Sequence, residues 1–233
     1  MKQPLALSAL FFMYMVAVLL VASIPLIGVV VGSMLVPAAT LGLMAASAQA
    51  SQGRFPMPSV LLSAFRAGKQ RVRAMLVLGL LYAIGSMLAT LLATVIMGAR
   101  PAGEPNQIDP TTLVALALHT PLFLMFWHAP ALVHWHGVSP AKSLFFSVVA
   151  CLRNFLPLLV YSMAWIGVFF AAALFFGLLG ALLGGEAAAR AVMFPVAMLM
   201  AAMFSSSIYF TFRDSFVADP VPPATIPDDG ATR

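Results

Sequence analysis

Charge is what this sequence has least of. Of its 233 residues only 8% are charged, 62% are hydrophobic, and the mean hydropathy is +1.02. Soluble domains carry roughly 25% charged residues, so this composition excludes a water-facing globule. Carboxylates are scarcer than cations. The seven are Glu104, Asp109, Glu186, Asp214, Asp219, Asp228 and Asp229, and all fall outside the long apolar runs. A proton- or cation-coupled carrier normally relies on an ionisable group buried in the membrane, most often a carboxylate; none is present there. The one cysteine, Cys151, excludes an internal disulfide framework. There is no GxSxG elbow, HExxH pair, phosphate-cradling glycine loop or cysteine pair. The sequence therefore points away from an enzyme: it assigns no catalytic residue, no metal ligand and no cofactor.

Long apolar runs are what it has in abundance. Crossing the hydrocarbon core takes about 20 residues, and six runs are long enough, at roughly 4–23, 26–50, 74–98, 111–135, 155–183 and 191–212. Backbone groups in lipid must bond within their own segment, and nothing alternates as barrel strands do. The expected fold is an all-α polytopic helical bundle, with Pro25 in a tight turn between the first two spans. Lys2 ahead of the first run has the look of a secretion signal, but the run is too long for one and leads directly into a second span, so a retained anchor is expected. The last stretch, 213–233, is rich in Pro and Asp and reads as a flexible tail.

The net charge of +5 belongs to a membrane surface rather than to nucleic acid. With the N-terminus inside, ten cations lie inside (Lys2, Arg54, Arg66, Lys69, Arg71, Arg73, Lys142, Arg153, Arg213, Arg233) and two outside (Arg100, Arg190). By the positive-inside rule both termini are expected in the cytoplasm of a bacterium, with the chain in its inner membrane.

Shifting the chain by 82 positions aligns Pro58 with Pro140, Leu62 with Leu144, Arg71 with Arg153 and Gly85 with Gly167. This is a candidate parallel internal repeat in which a proline opens a short cytoplasmic interfacial helix, an arginine follows, and then a span. On one continuous helix, "PSVLLSAFRAGKQRVRAM" places Leu61, Phe65, Gly68 and Val72 on one face and Arg66, Lys69 and Arg73 opposite, suited to the headgroup layer. Arg71 points toward Val60 and Ala64, and Arg153 lies in "SLFFSVVACLRNF" in still more apolar company. Arg66, Lys69, Arg71, Arg73 and Arg153 are the candidate lipid-binding residues, with Arg71 and Arg153 foremost. For those two, binding of a phosphate and simple snorkelling both stay open.

The window "FWHAPALVHWHG" holds His128, His134 and His136. Two histidines grip one ion from a helix at i, i+3 or i+4, and separations of six and two residues do neither. Trp127, Trp135 and His136 are expected as an interface belt. His119 and His128 lie within a span as intramembrane polar groups, each expected neutral and hydrogen-bonded to a neighbouring helix. "GVVVG" from Gly28 and "GALLG" from Gly180 allow close helix approach, within the chain or between chains.

The stretch "FWHAPALVHWHGVSPAKSLFFSVVACLRNFLPLLVY", with "MLVPAATLGLM" and "SAFRAGKQR" before it, resembles uncharacterised proteobacterial six-span inner-membrane proteins over most of residues 30–180. More distantly the chain is similar to the membrane-domain proteins grouped with the glycerophosphodiesterase membrane region, which lack the catalytic domain. The resemblance implies a six-span inner-membrane fold and brings no activity with it. His128 and His134 stand where that pattern has apolar residues. The leading functional expectation is an accessory or scaffold subunit of a larger membrane assembly, partnered by other membrane proteins or by itself. The alternative is a small transporter or lipid-handling protein that holds anionic headgroups near Arg71 and Arg153.

Overall fold

The computed structural model describes residues 3–98 and 110–216, apart from the side chain of Glu186. Every regular element among them is helical. In chain order they are α1 (Pro4–Ala22), α2 (Gly28–Ser51), a 3-10 helix (Pro58–Phe65), α3 (Lys69–Met97), α4 (Pro110–Phe126), α5 (Ala129–His136) and α6 (Pro140–Arg153). The chain closes with a helical pair, α7 (Phe155–Gly185) and α8 (Ala187–Phe216). Six helical segments are long and apolar enough to cross a membrane, α4 and α5 forming one of them. The protein is thus an all-α, multi-pass bundle with two short helices between spans.

The turns show how the sequence sets this order. Pro4 and Pro140 open their helices at a position where a missing N–H costs nothing. Between α1 and α2 the chain reverses over a few residues, with Leu26 at φ 69° and fully exposed. Gly28 makes that reversal feasible, because a Cβ there would lie 2.4 Å from the Val21 carbonyl oxygen. Gly185, at φ 73°, alone turns α7 into α8, where a longer outer loop reached residue 190 in the sequence reading. Gly180 then lies against the backbone of Ala189. Both glycine seams are therefore used between neighbouring helices of this chain.

α2 is the centre of the bundle: half of its apolar window is buried, against 6% for α7. Its residues enter all three apolar clusters, through Leu41 beside Leu78 and Phe126, Leu43 and Ala46 beside Leu7, Phe11 and Ala202, and Met44 beside Leu132 and Phe212. α7 stands at the periphery with Phe170, Phe175 and Leu182 outward. In lipid such a surface is unremarkable, since the solvent is as apolar as the side chains.

One sequence expectation changes. The basic segment is not one interfacial helix: Gly68, at φ 92°, separates the 3-10 helix from α3, which begins at Lys69 rather than near 74. Lys69, Arg71 and Arg73 therefore sit on the opening turns of a span, which runs past the apolar stretch at its basic end. The fourth span bends as Pro130 in the sequence leads one to expect, breaking at Trp127–His128 just ahead of it. Proline lacks an N–H and crowds the carbonyl four residues back.

The two candidate repeats share an element order, a proline-opened short helix and then a span, but differ locally. Arg153 ends α6, whereas Arg71 lies inside α3. Of the expected tail, residues 213–216 continue α8, and the remainder lies outside the described residues, as do Lys2, Arg100 and Arg233.

Candidate functional site: a basic cleft at one end of the bundle

The chain leaves α2 through Gly53, at φ 80°, and enters α3 through Gly68. These two reversals fold the 3-10 helix back beside the end of α2. They bring Arg54, Arg66 and Arg71 together with Gln49, Ser63 and His134 around a cleft of about 570 Å³. Gln49, Arg54, Ser63 and His134 also line an adjoining cavity of about 440 Å³ that reaches Trp135, Tyr209, Phe212 and Arg213. The site is thus assembled from the end of α2, the 3-10 helix, the start of α3 and the ends of α5 and α8.

Its electrostatics are one-sided. Among the described residues no carboxylate lines either cavity. Arg213 is already matched: it contacts Asp214 at 2.9 Å and lies over the Phe210 ring at 5.1 Å. Arg54 donates to the Gln52 side-chain oxygen, a neutral partner. Ser63 Oγ and His134 Nδ1 are buried and have no hydrogen-bond partner among the described residues. Buried polar atoms without partners are uncommon, and both belong to residues that line the cleft.

The candidate lipid-binding residues divide. Arg66 and Arg71 meet in the cleft, while Arg71 and Arg73 share a neighbouring cavity with Val133 and Ser139. Lys69 and Arg153 line neither. Arg153 is exposed at the end of α6 between the outward Leu152 and Phe155, so Arg71 and Arg153 do not form one site. Arg54, Gln49, Ser63 and His134 were missed. The local signal was Gly68, which ends the helical wheel on which the faces had been assigned.

His119 and His128 are also separate. His119 Nδ1 donates to the Ala115 carbonyl at 2.7 Å, and Nε2 lies 3.2 Å from the Ser86 hydroxyl, which ties the ring to the neighbouring helix α3. His128 is 2% exposed and packs against Phe212 and Phe216. Its Nδ1 has no partner among the described residues, where a hydrogen bond to a neighbouring helix was expected. Trp127 and Trp135 turn inward rather than forming an outer belt. The Trp127 indole donates to Thr211 Oγ1 at 3.0 Å, and Trp135 packs on Tyr209 and Phe212. They clamp the broken fourth span to α8, which also keeps one wall of the basic cleft in place.

α6 completes this side of the molecule. Ser143, Leu144, Ser147, Ala150 and Cys151 form its buried face. Ser147 stands in the break of the fourth span, accepting from the His128 N–H at 3.0 Å and donating to the Leu124 carbonyl at 2.7 Å. Burial pushes the Cys151 thiol up to about 11, against a smaller opposing effect of a hydrogen bond with Ser147. The thiolate is the reactive form, so the folded protein is expected to resist iodoacetamide at pH 8 and to alkylate rapidly once denatured. Intact-mass measurement before and after denaturation checks this; quick labelling of the folded protein would contradict the burial.

Against known proteins the chain aligns with a protein of Burkholderia thailandensis described as a probable inner membrane protein. The two are 36% identical over 234 residues, covering 92% of this chain and 86% of the relative. No protein-family profile matches the chain, and no solved structure matches it. Six helices able to span a membrane and a likeness running nearly the length of both proteins lead to one conclusion: the chain is a multi-pass membrane protein and belongs to the family of this probable inner membrane protein.

Proposed function

We propose that this inner-membrane protein is non-catalytic and handles anionic lipid, gripping a phosphate-bearing headgroup in the basic cleft at its cytoplasmic end. One observation carries the reading. Arg54, Arg66 and Arg71 surround a single cleft with no carboxylate among its described lining residues. Guanidinium groups suit phosphate because their donors form a planar fork that matches its oxygens. The cleft lies at the end of the bundle that the positive-inside rule assigns to the cytoplasm, so both termini fall on that side. The anionic lipids of that leaflet attract basic residues by about 1 kcal/mol each.

The test is lipid retention. The full chain is extracted gently, and the phosphatidylglycerol that co-purifies with it is quantified by mass spectrometry. Two neutralised arginines correspond to roughly a 10- to 30-fold weakening. Arg54→Gln with Arg71→Gln is therefore expected to strip the retained lipid, whereas Lys69→Gln with Arg153→Gln leaves it near the wild-type amount. Equal losses in both pairs would reduce the cleft to general surface charge and defeat the reading.

A role as accessory or scaffold subunit is favoured by a different observation, the outward apolar face of α7, 6% buried. The glycine seams that would have served such a role are occupied within the chain. A stoichiometric protein partner in the same extraction would favour it. The distant likeness to glycerophosphodiesterase membrane-domain proteins agrees with a lipid-facing task, and rests on the sequence stretches alone.

A further inference from the structure

A second cavity begins where the basic cleft ends. It is a groove of about 430 Å³ between α1, α2 and the 3-10 helix, within the roughly 300–1,000 Å³ of ligand sites. Its walls are apolar, with Ala17, Val18, Leu35, Leu62 and Phe65 prominent, and its polar lining residues are Tyr14, Ser59 and Arg66. Ser59 and Arg66 line the basic cleft as well. Arg66 follows directly on the 3-10 helix, just before the Gly68 reversal, and so stands at the junction of an apolar groove and a cationic cleft.

We infer that the two cavities form one bipartite site for a single anionic phospholipid, its phosphate in the arginine cleft and one acyl chain in the groove. This deepens the proposed function and rests on it. The occupant follows from the order of chemistries: a glycerophospholipid likewise places an anionic phosphate a few bonds from a long hydrocarbon chain. Free phosphate satisfies only the first cavity, and a neutral hydrocarbon only the second. Close packing of one acyl chain against the groove walls, the kind of contact that holds apolar surfaces together in a membrane, gives this lipid an advantage over inorganic phosphate, which cannot fill the groove. The arginines give it an advantage over a zwitterionic lipid of equal chain length. A general annular lipid has neither preference.

The site can be tested with the purified full chain in a neutral detergent, titrated calorimetrically with dioleoyl phosphatidylglycerol, dioleoyl phosphatidylcholine and inorganic phosphate. The expected order is phosphatidylglycerol at least tenfold tighter than either of the others. Ala17→Phe should fill the groove with little cost to folding, because Ala17 faces outward from α1. It is expected to weaken phosphatidylglycerol at least fivefold and leave phosphate unchanged; Leu62→Trp, at a half-exposed position, supplies a second groove variant. Arg66→Gln is expected to weaken both ligands. If both groove variants bind phosphatidylglycerol as the wild type does, while Arg66→Gln still weakens phosphate, the bipartite site is overturned and the anion cleft stands. If Arg66→Gln changes neither ligand, the cleft falls too. Equal affinity for the two lipids would also overturn the inference.

Discussion

Ser147→Ala is expected to lower the thermal midpoint of the detergent-solubilised protein by roughly 5–10 °C, while Ser143→Ala changes it by no more than about 2 °C. Both serines lie on α6 and both are fully buried, so burial alone forecasts equal effects. Their bonds differ. Ser143 Oγ donates only to Pro140 in its own first turn. Ser147 replaces a hydrogen bond that the fourth span lacks. In an unbroken helix the His128 N–H would reach the Leu124 carbonyl directly; instead the Ser147 hydroxyl stands between them, accepting from one and donating to the other. Without it, two backbone groups buried from water lose their partners, at about 1–3 kcal/mol each. The Cys151 thiol, 3.8 Å from the same carbonyl, is too weak a donor to replace it.

Thermal unfolding followed by tryptophan fluorescence suits the measurement, since Trp127 adjoins the break. An unchanged midpoint in Ser147→Ala would mean that α4 and α5 close the gap by themselves and that α6 is not needed to hold the bend. The consequence reaches the candidate site. α5 carries His134 and Trp135 into the cavities at the basic end, and its direction is set at this break. A loosened break is therefore expected to weaken anion binding as well as stability.

How much of this was legible in the sequence follows from what each feature depends on. The six spans were readable because a helix crossing lipid needs only its own length and apolarity, both local properties. Helix ends were readable to within a few residues for α1, α2 and α7. They failed for α3, because charged residues were assumed to stop a span, whereas Lys69, Arg71 and Arg73 extend it. The candidate site was half legible. Arg66 and Arg71 were picked out as basic residues in an amphipathic segment, but facing was inferred from one unbroken wheel. Gly68 breaks that wheel, and Arg66 and Arg71 end in the same cleft. Arg54, Ser63 and His134 join them from three other stretches of chain, and no spacing rule connects such positions. The face of Ser143, Ser147 and Cys151 was present as a four-residue repetition, but the backbone gap it fills is a tertiary fact.

Gly79→Leu is expected to abolish recovery of a folded, monodisperse protein, while Gly167→Leu is recovered as well as the wild type. The reason lies in how closely α2 and α3 cross. A Cβ at Gly79 would sit 2.3 Å from the carbonyl oxygen of Met34 and 3.1 Å from its carbonyl carbon. These are backbone atoms of the central helix, so no rotamer change relieves the clash; the helices must separate. Separation would pull Met75 and Leu78 away from Ala38 and Leu41, the apolar cluster shared by the middle of the bundle. Overpacking a tight core already costs about 1–3 kcal/mol. In a membrane the loss is not offset by a hydrophobic gain elsewhere, because helices there are held by close packing and lipid is an equally apolar alternative. Gly167, by contrast, has no atom within 4 Å of such a Cβ, on the helix least packed against the rest. Gly79→Ala grades the effect, with a midpoint expected well below that of Gly167→Ala. Size-exclusion profiles of the four variants decide the matter: a normal profile for Gly79→Leu would show that α2 and α3 need not touch, and the placement of the cleft at the start of α3 would lose its support.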